Sequence, residues 1–208
     1  MIAALYVATG GAYFGLPDVD PWDAERDARL YAGPWPVVAH PPCARWGRYW
    51  FGGPSAKVRR VKGDDGGCFA AVRRWGGVLE HPEASHAWRA FRLTIPPKSG
   101  GWSMLDDFGG ATCCVEQGHY GHRARKATWL YAVGVELPGL HWGPAASGIR
   151  LEDGYHSAEE RRRKKARPGD SGALERLSHR ERAATPIPFR DLLLGIARTA
   201  PPSVRAIA

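Results

Sequence analysis

The apolar residues of this chain come in short runs, each cut off by glycine or proline. That punctuation restricts what it can fold into. Leu5-Tyr-Val-Ala runs straight into Thr9-Gly-Gly, Pro36-Val-Val-Ala-His is stopped by Pro41-Pro42, and Val78-Leu79-Glu80 ends at Pro82. Thr112-Cys-Cys-Val115 and Thr128-Trp-Leu-Tyr-Ala-Val133 read as two further buried strands. Between the runs, Gly67 to Trp75 and Ala84 to Phe91 read as helices. Short buried strands alternating with helical segments predict an α/β layered sheet.

The organisation changes near residue 135. Residues 1–134 form the expected α/β core. Residues 135–175, rich in Gly, Pro and charge, form an expected insertion or loop, with Arg161-Arg-Arg-Lys-Lys-Ala-Arg167 inside it. Residues 176–208 are expected to pack back on the core through helices. Ser178 stands three positions before Glu181, a capping-box spacing. Phe189 to Arg198 is amphipathic, and Pro201-Pro202 ends it.

Composition narrows the function classes. At 208 residues and 44% apolar, the chain can build a real core, so wholesale disorder is excluded. No run approaches the ~20 apolar residues of a membrane span. The start, Met1-Ile-Ala-Ala-Leu-Tyr-Val-Ala, has no basic leader, so no signal peptide is expected. Four irregularly spaced cysteines do not make a secreted disulfide framework, which makes a reducing cytoplasm the default. A net charge of +8 points to a polyanionic partner, nucleic acid first. The nine tryptophans serve either as packing or as surfaces on which bases stack.

In an open α/β sheet, ligands bind beyond the carboxyl ends of the strands. Three expected strands end there in Thr9-Gly-Gly, His40-Pro-Pro-Cys43 and Glu80-His-Pro82. Singly, Cys43 is a small hydrophobe and Glu80 a surface charge. Together they suit one chemistry. A thiolate adds to an electron-poor ring carbon, and a carboxyl group that engages a ring nitrogen makes that ring a better electrophile. The pair therefore points to attack at C6 of a pyrimidine with activation at N3. Arg45 and Arg48 are close enough in sequence to favour the thiolate. Trp46, Tyr49, Trp50 and Phe51 crowd behind Cys43, either packing over the sheet or forming a lid for an extruded base.

These residues carry a family resemblance. Pro36-Val-Val-Ala-His-Pro-Pro-Cys43 resembles the Pro-Pro-Cys nucleophile motif of DNA cytosine-5 methyltransferases, and Gly77-Val-Leu-Glu-His81 resembles that family's strand ending in Glu-Asn-Val. Val115-Glu-Gln-Gly-His-Tyr-Gly121 is similar to the stretch leading to Tyr-Gly. Leu177-Ser-His-Arg-Glu-Arg182 with Phe189 to Ala197 resembles the closing motifs. The resemblance implies a Rossmann-like, methyltransferase-type sheet with flanking helices, abbreviated at the N-terminus. It implies Cys43 as nucleophile, Glu80 as ring activator, DNA as partner and S-adenosylmethionine as donor. The family's Gln-x-Arg-x-Arg falls on Ala124, Lys126 and Thr128, so Lys126 is the matching cation, with Arg123 and Arg125 taking over only by a shift.

The donor site implied this way comprises Thr9, Gly10, Gly11 and Pro41, with Asp18 or Asp20 as the ribose acid and Asp27 as the adenine contact. Too few residues separate Thr9 from Asp18 for the family's helix, and residues 135–175 are too few for its target-recognition domain. DNA contacts are expected from Arg45, Trp46 and Arg48 and from Arg161, Arg162, Arg163, Lys164, Lys165 and Arg167. Two readings stay open beside this one: the same chemistry with another donor or a free nucleotide, and a nucleic-acid-binding protein that has lost catalysis. Cys113, Cys114, His119 and His122 invite a zinc reading. Adjacent strand cysteines point to opposite faces, which argues against one metal taking both, and no metal is expected.

Overall fold

Six strands hydrogen-bond into one mixed sheet: β1 (Ile2–Leu5), β2 (Val19–Trp22), β3 (Val37–Ala39), β4 (Gly77–Pro82), β5 (Gly110–Glu116) and β6 (Ala127–Val133). The computed structural model describes residues 1–47, 66–146 and 177–201, with 149, 158, 159 and 162 besides. The strand order is β2-β1-β3-β4-β6-β5. β1 to β4 are parallel, and β6 runs antiparallel to both its neighbours. The helices are α1 (Cys43–Trp46), α2 (Gly67–Trp75), α3 (His86–Ala90), α4 (His179–Ala183) and α5 (Ile187–Arg198).

The expected α/β class is what the chain adopts, with one strand displaced. β1 begins at Ile2, three residues before the expected Leu5–Ala8 run. Ala3 and Ala4 pair with Val37 and Val38, and Tyr6 leaves the ladder with φ at 58°. The edge strand β2 has no period-2 signal. It holds Pro21, which an edge position tolerates because one side of the strand needs no ladder donor. Residues 6–18 link these two parallel strands without a helix. Parallel strands usually need a covering crossover, so the face of β1 must be covered by something else.

That cover is α5. Its Phe189, Leu193, Leu194, Ile196 and Ala197 pack on Ile2, Ala4, Val38, Val78, Leu130 and Ala132. Side chains of this size each stabilise by about 1.5–3 kcal/mol when fully buried. Arg190 Nη1 donates to the Ala12 carbonyl at 2.7 Å, and Arg198 pairs with Asp18 at 2.8 Å, so the helix is fastened at both ends. The capping box expected at Ser178 and Glu181 is present and starts α4.

The other face carries α2, which spans the residues expected of it. Phe69 stacks on Phe91 with centroids 4.5 Å apart and meets Trp88 edge-on at 5.8 Å. Trp75, Trp88 and Trp129 are buried here, with Trp22, Trp35 and Trp46 packed around them. Trp102 and Trp142 pack on the α5 side. Every described tryptophan therefore packs against a core cluster. Gly77, at φ 122°, lets β4 close on β3, because a Cβ there would fall 2.0 Å from the Val37 carbonyl oxygen.

Alternation along β4 sends Glu80 to the α5 face and His81 to the α2 face. His81 is 1% exposed, and neither ring nitrogen makes a hydrogen bond of good geometry. Burial pushes its pKa down from 6.5 to about 4; Glu80 and the Pro42 backbone oppose that only in part. Above the unfolded value of 6.5 the ring is neutral in both states. As pH falls toward 4, the unfolded chain gains a proton that the folded chain refuses, and stability is lost. The shift corresponds to at most about 3 kcal/mol. His81→Leu should flatten the stability–pH curve across that window, measured by urea unfolding at a series of pH values; an equally steep curve would assign the acid loss to other groups.

Candidate active site

The parallel order reverses direction between β1 and β3, and such switch points leave a crevice beyond the strand ends. The 6–18 connection, His40 to α1, Glu80 and the Gln117–Tyr120 turn all lie at that end of the sheet. β6 starts there too, because Thr128 pairs with Pro82 across the antiparallel ladder. A second groove, lined by Leu105, Gly134, Leu137, Thr199 and Pro201 among others, sits at the opposite end and contains none of the candidate residues.

The sequence elements thus bring Cys43, Glu80 and Lys126 together. Cys43 opens α1, immediately past β3, and is the exposed member of four free cysteines. One side of the thiol is open to solvent while protein on the other side desolvates it. Burial pushes the thiol up to about 11, Glu80 adds to the rise and Lys126 opposes it. Lys126 is buried, with Nζ 3.4 Å from the Ala184 carbonyl. The cation expected from the family alignment is therefore the one whose charge reaches both Cys43 and Glu80.

Glu80 is bound on one oxygen and bare on the other. His40 Nδ1 donates to Oε1 at 2.9 Å, and Oε2 is buried without a partner. The second nitrogen of His40, Nε2, lies 2.7 Å from the Tyr13 hydroxyl. Burial and the nearby Glu80 charge hold that phenol well above its usual pKa, so it stays protonated and donates. Its donation fixes the tautomer with the proton on Nδ1. Burial would push the Glu80 carboxyl up. The hydrogen bond from His40, with Lys126 and His81, outweighs that and holds it below the ordinary value.

Other expected residues are placed differently. Arg123 is paired with Glu181 at 2.6 Å and Arg125 with Glu116 at 3.1 Å, so neither guanidinium is turned to Glu80 as a shifted family motif would require. Asp18 sits at the amino end of β2, the wrong end of the sheet, paired with Arg198. Asp20 lies mid-strand, accepting from Trp22 Nε1 at 2.8 Å and pairing with Arg26. Asp27 caps a short 3-10 turn at φ 53° and pairs with Arg29 at 2.6 Å.

The acid at the carboxyl end of β2 is Asp23, which sequence reading passed over. It accepts from Thr9 Oγ1 at 2.7 Å and from the Glu25 and Arg26 amides, so its oxygens are spent on pinning the loop. Gly10 and Gly11 make a plain turn closed by the Gly11 amide on the Ala8 carbonyl at 2.8 Å. Pro41 is buried beyond β3. Asp18, Asp20, Asp23 and Asp27 are each committed to partners within the chain, so these residues do not fit an S-adenosylmethionine site of the expected kind.

Trp46 packs its ring edge against Phe91 at 5.6 Å, and Arg45 lies over the indole at 5.4 Å. Both are half-buried. Arg48, Tyr49, Trp50, Phe51, Arg161, Arg163, Lys164, Lys165 and Arg167 lie outside the described residues; Arg162 is exposed. Cys113 faces the α5 side and Cys114 the α2 side, as strand alternation requires. Among the described residues, no three His, Cys, Asp or Glu side chains cluster as a metal site would need, and no helix is long and apolar enough to cross a membrane. Neither a known protein family nor a curated protein nor a solved structure matches the chain.

The charge balance at Cys43 has a direct readout. Thiolate is the reactive form, so alkylation of the native protein should be confined to Cys43 and rise about tenfold per pH unit up to its pKa. Glu80→Gln removes the adjacent negative charge and should speed that reaction about five- to tenfold at pH 8, whereas Lys126→Met should slow it. Mass-spectrometric timing of iodoacetamide labelling, with Cys43→Ser as blank, measures both. Equal rates in all three proteins would place the charges too far from the thiol to matter.

Proposed function

We propose that the chain is a pyrimidine-modifying enzyme acting on DNA, similar in its attacking chemistry to DNA cytosine-5 methyltransferases. One observation carries the reading: an accessible thiol and a buried carboxylate with one unpartnered oxygen stand at the same strand ends, within each other's electrostatic reach. The strand order with its switch point and the chain order Cys43, Glu80, Lys126 agree with it.

The reaction begins with the thiol largely protonated and the carboxyl ionised. The Cys43 S–H bond breaks as Sγ bonds to C6 of the base, and Glu80 Oε2 takes the proton. The C5=C6 electron pair moves toward C4, and the C4=N3 pair moves onto N3. Glu80 returns its proton to N3, which leaves an enamine with a nucleophilic C5. Lys126 favours the thiolate during attack. S-adenosylmethionine supplies an electrophilic methyl group when an enzyme binds it; because the acids here do not fit it, no transfer step is derived. The C6 adduct is the common stage of C5 modification whatever the donor.

Two measurements test the reading. A duplex carrying cytosine tritiated at C5 should release tritium to water in the presence of the protein, because the C6 adduct takes a proton at C5 and loses either hydrogen when the thiol departs, and Cys43→Ser should abolish the release. A wild-type protein that releases none would overturn the nucleophile or the substrate. The basic run supplies the second test, since six cations in seven positions have only Glu159, Glu160 and Asp170 near in sequence. Each phosphate contact contributes about 0.9 to the log–log salt slope of binding. Neutralising Arg161 to Lys165 should weaken all DNA sequences alike and flatten that slope by several units in anisotropy titrations. An unchanged slope removes the support for DNA over a free nucleotide.

A further inference from the structure

We infer that His40, held between Tyr13 and Glu80, is a positioning residue that sets the proton state of the ring-activating carboxylate. The inference deepens the proposed chemistry and rests on it for the substrate. Its structural half stands alone. Tyr13 donates to Nε2 at 2.7 Å, Nδ1 donates to Glu80 Oε1 at 2.9 Å, and Oε2 is left as the acceptor that a ligand must satisfy.

The geometry does two things. It fixes the carboxylate plane, because Oε1 is tied to a ring that is itself tied at the far nitrogen. Tyr13 is 3% exposed and lies 5.3 Å from the His40 ring between centroids, so the imidazole is held at both nitrogens with a buried ring packed beside it. It also decides where the proton rests. A carboxyl group this deeply desolvated is neutral unless something holds it ionised, and His40 is the leading opposing group. An ionised Oε2 accepts a proton from Cys43; a neutral carboxyl cannot. His40 therefore makes Glu80 the base for the thiol before Glu80 becomes the acid for N3.

The charged and titratable groups around this chain come from every packed element. Tyr13 comes from the β1–β2 connection, with Arg190 and Asp191 of α5 acting on its hydroxyl. Cys43 of α1, His81 of β4 and Lys126 before β6 complete the set around Glu80. Lys126 and His81 also favour the ionised carboxyl, so losing His40 raises its pKa without returning it to that of an isolated buried acid.

Three variants separate the outcomes. His40→Ala removes the donor to Glu80, His40→Asn keeps an N–H where Nδ1 stands, and Tyr13→Phe removes the hydroxyl that fixes the tautomer. Two readouts are taken on each. The first is the iodoacetamide rate of Cys43, which needs no substrate. In His40→Ala the Glu80 carboxyl keeps its proton to higher pH, so its charge stops opposing the thiolate sooner, and the labelling rate relative to wild type should rise about fivefold as pH falls through that range. The second is the pH profile of tritium release from DNA carrying C5-tritiated cytosine. Its acid limb should move up by about one unit or more in His40→Ala and by less in His40→Asn and Tyr13→Phe.

Wild-type tritium release with unshifted labelling and an unshifted acid limb in His40→Ala overturns the role given to His40 and leaves the pyrimidine chemistry standing. Quickened labelling without any wild-type tritium release keeps the role and overturns the substrate. If His40→Ala does not fold, Tyr13→Phe and His40→Asn decide: an unmoved acid limb in both overturns the inference.

Discussion

β3 is three residues long, and the site depends on the register it imposes. Val37, Val38 and Ala39 are fully buried and pair with β1 on one side and β4 on the other. Because Ala39 stands level with Leu79, His40 and Glu80 leave their strands side by side and on the same face. A one-residue slip in that ladder would send Glu80 into the α2 core and His81 into the crevice. Gly77 enforces the register, since the approach of β4 to Val37 leaves no space for a side chain at that point.

The crevice then works by unequal desolvation. Glu80 and Cys43 are neighbours of like charge when both are ionised, so they do not both carry charge cheaply. The structure resolves the conflict with hydrogen bonds rather than distance. Two donors in series favour charge on the carboxyl, and the thiol keeps its proton at rest. This is the reverse of an arrangement in which a pre-formed thiolate waits for its substrate. On the proposed chemistry, nucleophile activation is contingent on a base that the incoming ring itself must satisfy.

How much of this was legible in the sequence follows from what each signal measures. The helices at 67–75 and 187–198 and the β5–β6 pair were legible because apolar periodicity reports burial directly. Cys43, Glu80 and Lys126 were legible because chain order places strand ends. The donor acids were misplaced because spacing cannot tell which end of an edge strand an aspartate occupies. Asp18 precedes β2 and Asp23 follows it, five residues and one strand length apart. Arg123 and Arg125 looked available because their partners lie elsewhere: Glu181 is 58 residues distant and Glu116 is across the turn. Tyr13 carries no local signal at all, and its role exists only because the helix-free connection folds it under His40.

The missing crossover helix also bears on how the molecule is made. Among the described residues, α5 is the helix that covers the face of β1 and β3, through contacts that span 178 residues from Ala12 to Arg190 and 180 from Asp18 to Arg198. A chain emerging from the ribosome N-terminus first therefore presents Ile2, Ala4, Val38 and Val78 without that helix until Ile187–Arg198 has been synthesised. Contacts of such sequence separation also slow folding, since loop closure is charged before packing rewards it. The economy of a short connection at the start of the chain is thus carried by the nascent state, which must keep an open apolar sheet from meeting another copy of itself.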